Sequence, residues 1–257
     1  MIREEIYPKV VVYHDAIPEH KKFLEIAKTS TQHATEWTDW YTLGHQSSIN
    51  GYPHLIFEQF PTSSEWGDRF ANINNPLVDM ASNAFYSSTA DYIESNSIEI
   101  PNWIHGTPTM HSHLAKTKDQ FLAMQYHTDF IISQTECRGF KHAITCNVYL
   151  NDEYSGGELS FKIFKNESDF DFFKYKPVAG DALVFPSHPP YFHGVHKTME
   201  TDKYFMRMFW GYDYEGSPEW LENEKKHGVE EWAEIERNRV DAENKSSIWM
   251  KGHVDET

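Results

Sequence analysis

Two stretches decide how this chain is read: Gln125-Tyr126-His127-Thr128-Asp129 and Tyr191-Phe192-His193-Gly194-Val195-His196. On a β-strand, residues two apart face the same way, with side-chain bases roughly 7 Å apart. His127 and Asp129 therefore converge while Thr128 turns away. A His-x-Asp pair alone is most often a histidine beside an acid, so a third group must come from another strand. The second stretch offers His193 and His196, which lie three residues apart and so on opposite strand faces. Only one of them can join the pair. Two imidazoles and a carboxylate on one face of an octahedron leave three positions open, an arrangement that suits Fe(II). Zinc more often takes closed tetrahedral sets, or three ligands and a water.

Around these stretches the sequence is cut into short apolar runs separated by turn residues. Strands are expected at Leu122–Phe130, His142–Leu150, Glu158–Phe164, Ala182–Phe185, Tyr191–Lys197 and Lys203–Tyr212, with turns at 151–157, 179–181 and 200–202. Strands at this spacing imply an antiparallel sandwich or an open barrel. Upstream, Val10–Tyr13 reads as a short β-branched run, Glu19–Lys28 as a helix, and Trp37–Leu43 as a strand. Residues 63–93 read as helical with a break at Asn75-Pro76. Trp103–His113 reads as extended and interrupted by Gly106 and Pro108. Ser217 followed by Pro218 starts a final helix expected to run to Val240.

Composition narrows the function. The 257 residues can bury a substantial core, and aromatic content of 15% supplies its bulk. A formal net charge of −16 argues against a sequence-independent grip on nucleic acid or on anionic membrane. Two cysteines, Cys137 and Cys146, make neither a disulfide framework nor a thiolate zinc site. The N-terminal residues carry charge ahead of any apolar run and lack a signal-peptide pattern, and no apolar run reaches membrane-spanning length. The expectation is a cytoplasmic protein that is not secreted.

From Met124 to Trp210 the chain resembles the prolyl 4-hydroxylase-like branch of the 2-oxoglutarate/Fe(II)-dependent dioxygenase superfamily. The pieces that carry the resemblance occur in family order: His127-Thr-Asp129, Thr145-Cys-Asn-Val-Tyr-Leu-Asn151, Gly156-Gly-Glu-Leu-Ser-Phe161, Pro177-Val-Ala-Gly-Asp-Ala-Leu-Val-Phe185, and His193-Gly-Val195 followed by Lys203. The resemblance implies a mainly β protein with flanking helices and a double-stranded β-helix core, jelly-roll or cupin-like. It divides a single domain, 1–257, into a mostly helical N-terminal support (1–100), a jelly-roll catalytic core (101–213) and a C-terminal helix and tail (214–257). Its cofactors are Fe(II), 2-oxoglutarate as cosubstrate, and O2. The metal ligands are then His127, Asp129 and His193, the last preferred over His196 because a base follows ten residues on.

That base, Lys203, is the family's partner for the distal carboxylate of 2-oxoglutarate, and Tyr149 occupies the position whose hydroxyl assists it. Tyr149 alternates with Asn147 and Thr145, so all three are expected to face one interior. Arg207 competes with Lys203: a charge embedded in Tyr-Phe-Met-Arg-Met-Phe-Trp is costly unless paired, and its planar fork suits a carboxylate. One departure stands out, because Thr201 occupies the turn position where the family usually has glycine. His105, His111, His113, Trp103 and Trp210 are candidates for a substrate mouth, although exposed histidines and packed tryptophans are the plainer reading. The implied reaction is hydroxylation of a C–H bond in a peptide or small molecule, with release of succinate and CO2. The competing reading is a non-catalytic, cupin-like metal-binding module.

Overall fold

Where apolar residues alternate, strands bury one face; where they run together, both faces are covered. The computed structural model describes residues 1–25, 54–59, 75–98, 103–105, 109–113, 122–129, 140–166, 168–213 and 218–238. Its strands are β1 (Ile2–Tyr7), β2 (Val10–His14), β3 (His54–Gln59), β4 (Trp103–His105), β5 (Thr109–His113), β6 (Leu122–His127), β7 (Phe140–Tyr149), β8 (Ser155–Gly156), β9 (Leu159–Phe164), β10 (Phe170–Tyr175), β11 (Ala182–Pro186), β12 (Tyr191–His196), β13 (Thr198–Met199) and β14 (Lys203–Asp213). A large sheet runs β1-β2-β11-β7-β14-β5-β3, with β4 also paired to β14. A four-stranded sheet runs β10-β9-β12-β6, and β8 pairs with β13 beside it. All the pairings are antiparallel.

The continuous runs Val10-Val11-Val12 and Ala182-Leu183-Val184 become strands buried on both faces. One face of the large sheet, with Val11, Ile144, Cys146, Val148, Val184, Met206 and Met208, packs on the long helix Asn75–Ser95 through Ala81, Ala84, Phe85 and Tyr92. The other face, with Val10, Val12, Tyr149, Leu183, Phe185 and Phe205, meets Leu159, Phe161, Ile163 and Val195 of the small sheet. Fully burying each large apolar side chain is worth about 1.5–3 kcal/mol. These two layers therefore carry enough apolar burial to tolerate the polar groups enclosed between the sheets.

The expected strands from residue 122 onward form within a few residues of their expected ends. Three strands come from the first hundred residues, so that segment supplies sheet as well as helical support. The strand β10 lies where no strand was expected; among the described residues it is an outer strand, paired with β9 and half exposed, which weakens its apolar signal. The final helix is shorter than expected. It runs Pro218–His227, stops at Gly228 with φ 81°, and a second helix covers 229–238. Gly228 N–H donates to the Glu224 carbonyl at 2.8 Å, a left-handed helix end that glycine favours. The strand expected at 37–43 and the helix expected at 63–74 lie outside the described residues. No helix among the described residues is long and apolar enough to cross a membrane.

Gly156 (φ 71°) and Gly157 (φ 70°) both adopt left-handed backbone. A β-carbon at Gly156 would clash with the Lys197 carbonyl, whereas one at Gly228 would meet nothing within 4 Å. Gly228→Ala should therefore cost about 1–2 kcal/mol for its backbone alone. Gly156→Ala should cost roughly 1–3 kcal/mol more through overpacking. Chemical denaturation of both variants checks this, and equal losses would show that the Lys197 contact is not what demands glycine.

Candidate active site

Strands β6 and β12 are neighbours in the small sheet, and His127 pairs directly with His193. Asp129 follows two residues beyond His127, so all three side chains reach the same inter-sheet space. Their ligand atoms lie within 4.8 Å of one another. His127 Nε2 is 3.4 Å from Asp129 Oδ1, and His193 Nε2 is 3.3 Å from Asp129 Oδ2. The two imidazole rings are 4.5 Å apart, and His193 stands edge-on to Phe185 at 4.7 Å. Asp129 is 2% exposed and His193 4%.

Burial alone would raise the Asp129 carboxyl, but the His193 and His127 imidazoles outweigh it and hold the group well below the usual carboxylate range. The carboxylate is also held from the large sheet. Thr145 Oγ1 donates to Asp129 Oδ2 at 2.8 Å, and Ser187, 2.8 Å from Thr145, supplies the next hydroxyl in the chain. Arg207 Nη1 lies 3.9 Å from Asp129 Oδ1. The spacing suits a metal ion, because bonds of roughly 2.1 Å from one divalent cation place adjacent donors roughly 3 Å apart. His193 Nδ1 lies 3.4 Å from the Tyr191 carbonyl, which favours a proton on Nδ1 and leaves Nε2 as the donor atom. The chemistry of this donor set fits Fe(II).

His196 is not part of the cluster. It lies on the opposite face of β12, with Nε2 3.0 Å from Ser160 Oγ. Trp210 is likewise directed away, packed edge-on against Tyr86 of the long helix at 5.2 Å. His105 and Trp103 lie on β4, and His111 and His113 on β5, both paired with β14.

Thr145, Asn147 and Tyr149 share the inter-sheet face of β7, and Lys203, Phe205 and Arg207 share that of β14. At about 3.3 Å per residue, Lys203 and Arg207 are separated by roughly 13 Å along the strand. They serve opposite ends of the space: Arg207 stands beside Asp129, and Lys203 donates from Nζ to the Gly157 carbonyl at 2.8 Å. Lys203 is 1% exposed, with its ammonium 5.2 Å from the Tyr149 ring centre and 5.9 Å from that of Tyr154. The Tyr149 and Tyr154 hydroxyls are buried without a hydrogen-bond partner among the described residues. A buried donor left unsatisfied costs about 1–3 kcal/mol. This end thus gathers an ammonium and two hydroxyls with no carboxylate hydrogen-bonded to them among the described residues, which fits a carboxylate-bearing cosubstrate.

Thr201 does not disturb this register, because the left-handed residue of its turn is Glu200, with φ 74°. The Thr201 hydroxyl instead donates to the Glu153 carbonyl at 2.5 Å. Ser187 and Tyr154 escaped the sequence reading. Ser187 was within reach of it, since it continues the inward alternation of Leu183 and Phe185. Tyr154 sits in an irregular loop where no periodicity points inward.

Burial pushes the Lys203 ammonium down to about 7, reinforced by Lys176 and opposed by Glu158. Between pH 7 and the ordinary lysine range the unfolded chain binds the extra proton, so this group makes the folded state more stable as pH rises. Below pH 7 the penalty is complete. Lys203→Met should therefore be most stabilising, relative to the parent, near pH 7, with the advantage shrinking toward pH 10. Urea unfolding of both proteins across this range measures it, and a constant difference would contradict the buried charge.

Residues 112–211 match the sequence model of the 2OG-Fe(II) oxygenase superfamily. No curated protein matches the chain by sequence. Among solved structures, a prolyl hydroxylase from Trichoplax adhaerens, in complex with a hypoxia inducible factor oxygen degradation domain peptide fragment, aligns with TM-score 0.51 at 13% identity, covering 80% of this chain and 84% of that one. A prolyl 4-hydroxylase structure from Phytophthora capsici aligns with TM-score 0.51 at 13% identity, covering 82% of this chain and 61% of that one. These likenesses establish the shared double-stranded β-helix, and the matched segment contains His127, Asp129, Tyr149, His193, Lys203 and Arg207. Residues 112–211 are thus similar to the 2OG-Fe(II) oxygenase superfamily, whose cofactors are Fe(II), 2-oxoglutarate and O2, and this segment holds the His127, Asp129 and His193 group that could take such a metal.

Proposed function

We propose that the whole chain works as one oxygenase domain that hydroxylates a C–H bond of a peptide or small molecule. Its metal ligands are His127, Asp129 and His193. The observation that carries this reading is the convergence of those three side chains, from two strands and the turn after one of them, beside an ammonium-lined interior. Together, Fe(II), 2-oxoglutarate and O2 supply the oxidation: one oxygen atom enters the C–H bond, and the 2-oxoacid leaves as succinate and CO2.

The chain's own residues prepare the site. Thr145 and Arg207 orient and balance Asp129, so the carboxylate is ready without drawing water in. Phe161 and Phe185 wall the space behind His193 and keep it dry, which protects a reactive oxidant from side reactions. Lys203 and Tyr149 anchor the distal carboxylate of 2-oxoglutarate. Arg207 belongs to the metal end of the same interior, so of the two cations Lys203 is the distal anchor. The general acidity of the chain disfavours nucleic acid and anionic membrane as partners and suits a neutral or basic substrate. The Trichoplax structure, solved with a peptide fragment, favours a peptide as the first substrate class to test. The buried free thiol of Cys146 agrees with a cytoplasmic setting.

Anaerobic addition of Fe(II) and 2-oxoglutarate should produce a weak visible charge-transfer band. His127→Ala, Asp129→Ala and His193→Ala should abolish it, while His196→Ala should retain it. Persistence of the band in Asp129→Ala would mean that another carboxylate serves the metal. Succinate release on addition of candidate peptides then reports turnover, and iron binding without any succinate would favour the non-catalytic module.

Loss of a charge-assisted carboxylate contact is worth about 1.5–3 kcal/mol. Lys203→Met should therefore weaken 2-oxoglutarate binding roughly ten- to hundredfold. Since the free ammonium titrates near pH 7 and a bound carboxylate raises it, binding should take up a proton above that pH. Calorimetry in buffers of different ionisation enthalpy measures this uptake. Uptake that is unchanged in Lys203→Met would assign it elsewhere.

A further inference from the structure

The back of the small sheet, opposite the metal-facing side, carries a buried polar chain that neither the family match nor the proposed chemistry uses. The Tyr126 hydroxyl lies 2.6 Å from Ser160 Oγ, and Ser160 Oγ lies 3.0 Å from His196 Nε2. These residues sit on three strands in the order β9-β12-β6, and Tyr126 and Ser160 are on the outer two. All three are buried, at 6%, 0% and 6% exposure. Lys162 places its ammonium 4.5 Å from the Tyr126 ring centre.

The register explains why Tyr126 can reach Ser160. On β12, Gly194 pairs with Ser160, and its neighbour His193 pairs with His127. Tyr126 precedes His127 and Gly194 follows His193, so by alternation Tyr126, Gly194 and Ser160 face the same side of the sheet. Two strand spacings are about 10 Å, more than either side chain spans alone. The hydroxyls meet because the phenol crosses β12 at the one residue there with no side chain. The link adjoins the site at one end and at its middle: Tyr126 precedes His127, and Gly194, which the phenol crosses, follows His193. The same region is irregular in its ladder, with register shifts between His193 and Val195 and between Val195 and His196. The regular backbone ladder between these two strands is therefore interrupted just beyond the His127–His193 pair.

We infer that Tyr126, Ser160 and His196, crossing over Gly194, are positioning residues that clamp β6 to β12 from behind and so set the separation of the His127 and His193 imidazoles. The inference rests on the proposed metal ligands. None of these residues touches the metal or cosubstrate; their effect passes through the strand backbone to the histidine on its other face. Such supporting partners typically affect metal affinity about 10–100-fold when they bond the ligand directly, and less when they act through the backbone.

The test uses Co(II) as a spectroscopic probe of the whole chain, titrated anaerobically into metal-free protein. Tyr126→Phe removes one oxygen atom and Ser160→Ala another, and circular dichroism confirms that each variant is folded. Each should weaken Co(II) affinity about fivefold. Ser160→Thr, which keeps the hydroxyl, should restore most of the loss, and Gly194→Ala should reproduce it by obstructing the phenol. At saturating metal, the affinity for 2-oxoglutarate should stay unchanged, because the Lys203 end is not touched. Parent-like Co(II) affinity in folded Tyr126→Phe and Ser160→Ala would overturn the inference, as would 2-oxoglutarate affinity falling in step with metal affinity. His193→Ala separates the two levels: if it still binds Co(II) normally, the ligand assignment itself fails.

Discussion

A buried carboxylate between two imidazoles is the constraint around which this structure is arranged. Asp129 has left water almost completely, and an unpaired ion in that position would cost several kcal/mol. His127 and His193 approach from the small sheet, while Thr145 and Arg207 approach from the large one. Neither sheet alone satisfies the carboxylate. The site exists only once the two layers have closed, and the apolar faces of Phe161, Phe185, Tyr149 and Phe205 drive that closure.

The inter-sheet space is chemically polarised. One end holds an anion between two imidazoles, and the other holds two hydroxyls and a buried ammonium whose hydrogen-bond acceptor among the described residues is a backbone carbonyl. Such an arrangement is unfavourable for an isolated fold, which would bury leucines there. Violations of packing rules of this kind concentrate where a protein binds or reacts. The Gly156-Gly157 turn belongs to this end, since it brings its carbonyl to Lys203 and admits Tyr154 against Gly157.

The two faces of the small sheet divide the labour. The inner face carries His127, His193 and the aromatic wall, and the outer face carries the hydroxyl and imidazole chain from Tyr126 to His196. Because adjacent residues on a strand point oppositely, a ligand and its brace can be neighbours in sequence and yet never touch. That geometry also explains why His196, so close to His193 in the chain, faces Ser160 and not Asp129.

Much of this was legible beforehand. Strict alternation at Thr145, Asn147 and Tyr149 announced which face they share, and the continuous valines of β2 announced a strand covered on both sides. The spacing of His127 to Asp129 pointed to one shared face, because a period of two is a property of any strand, whereas the interest of His193 and Lys203 came from the family resemblance. What the chain alone left open was every relation between strands. The convergence of His193 rather than His196 on His127 and Asp129, the placing of Lys203 and Arg207 at opposite ends, the recruitment of β1–β3 into the large sheet, and the meeting of Tyr126 with Ser160 all depend on register. Register is a matter of which residues of distant segments lie opposite one another, and only closing the two sheets over a shared core decides it.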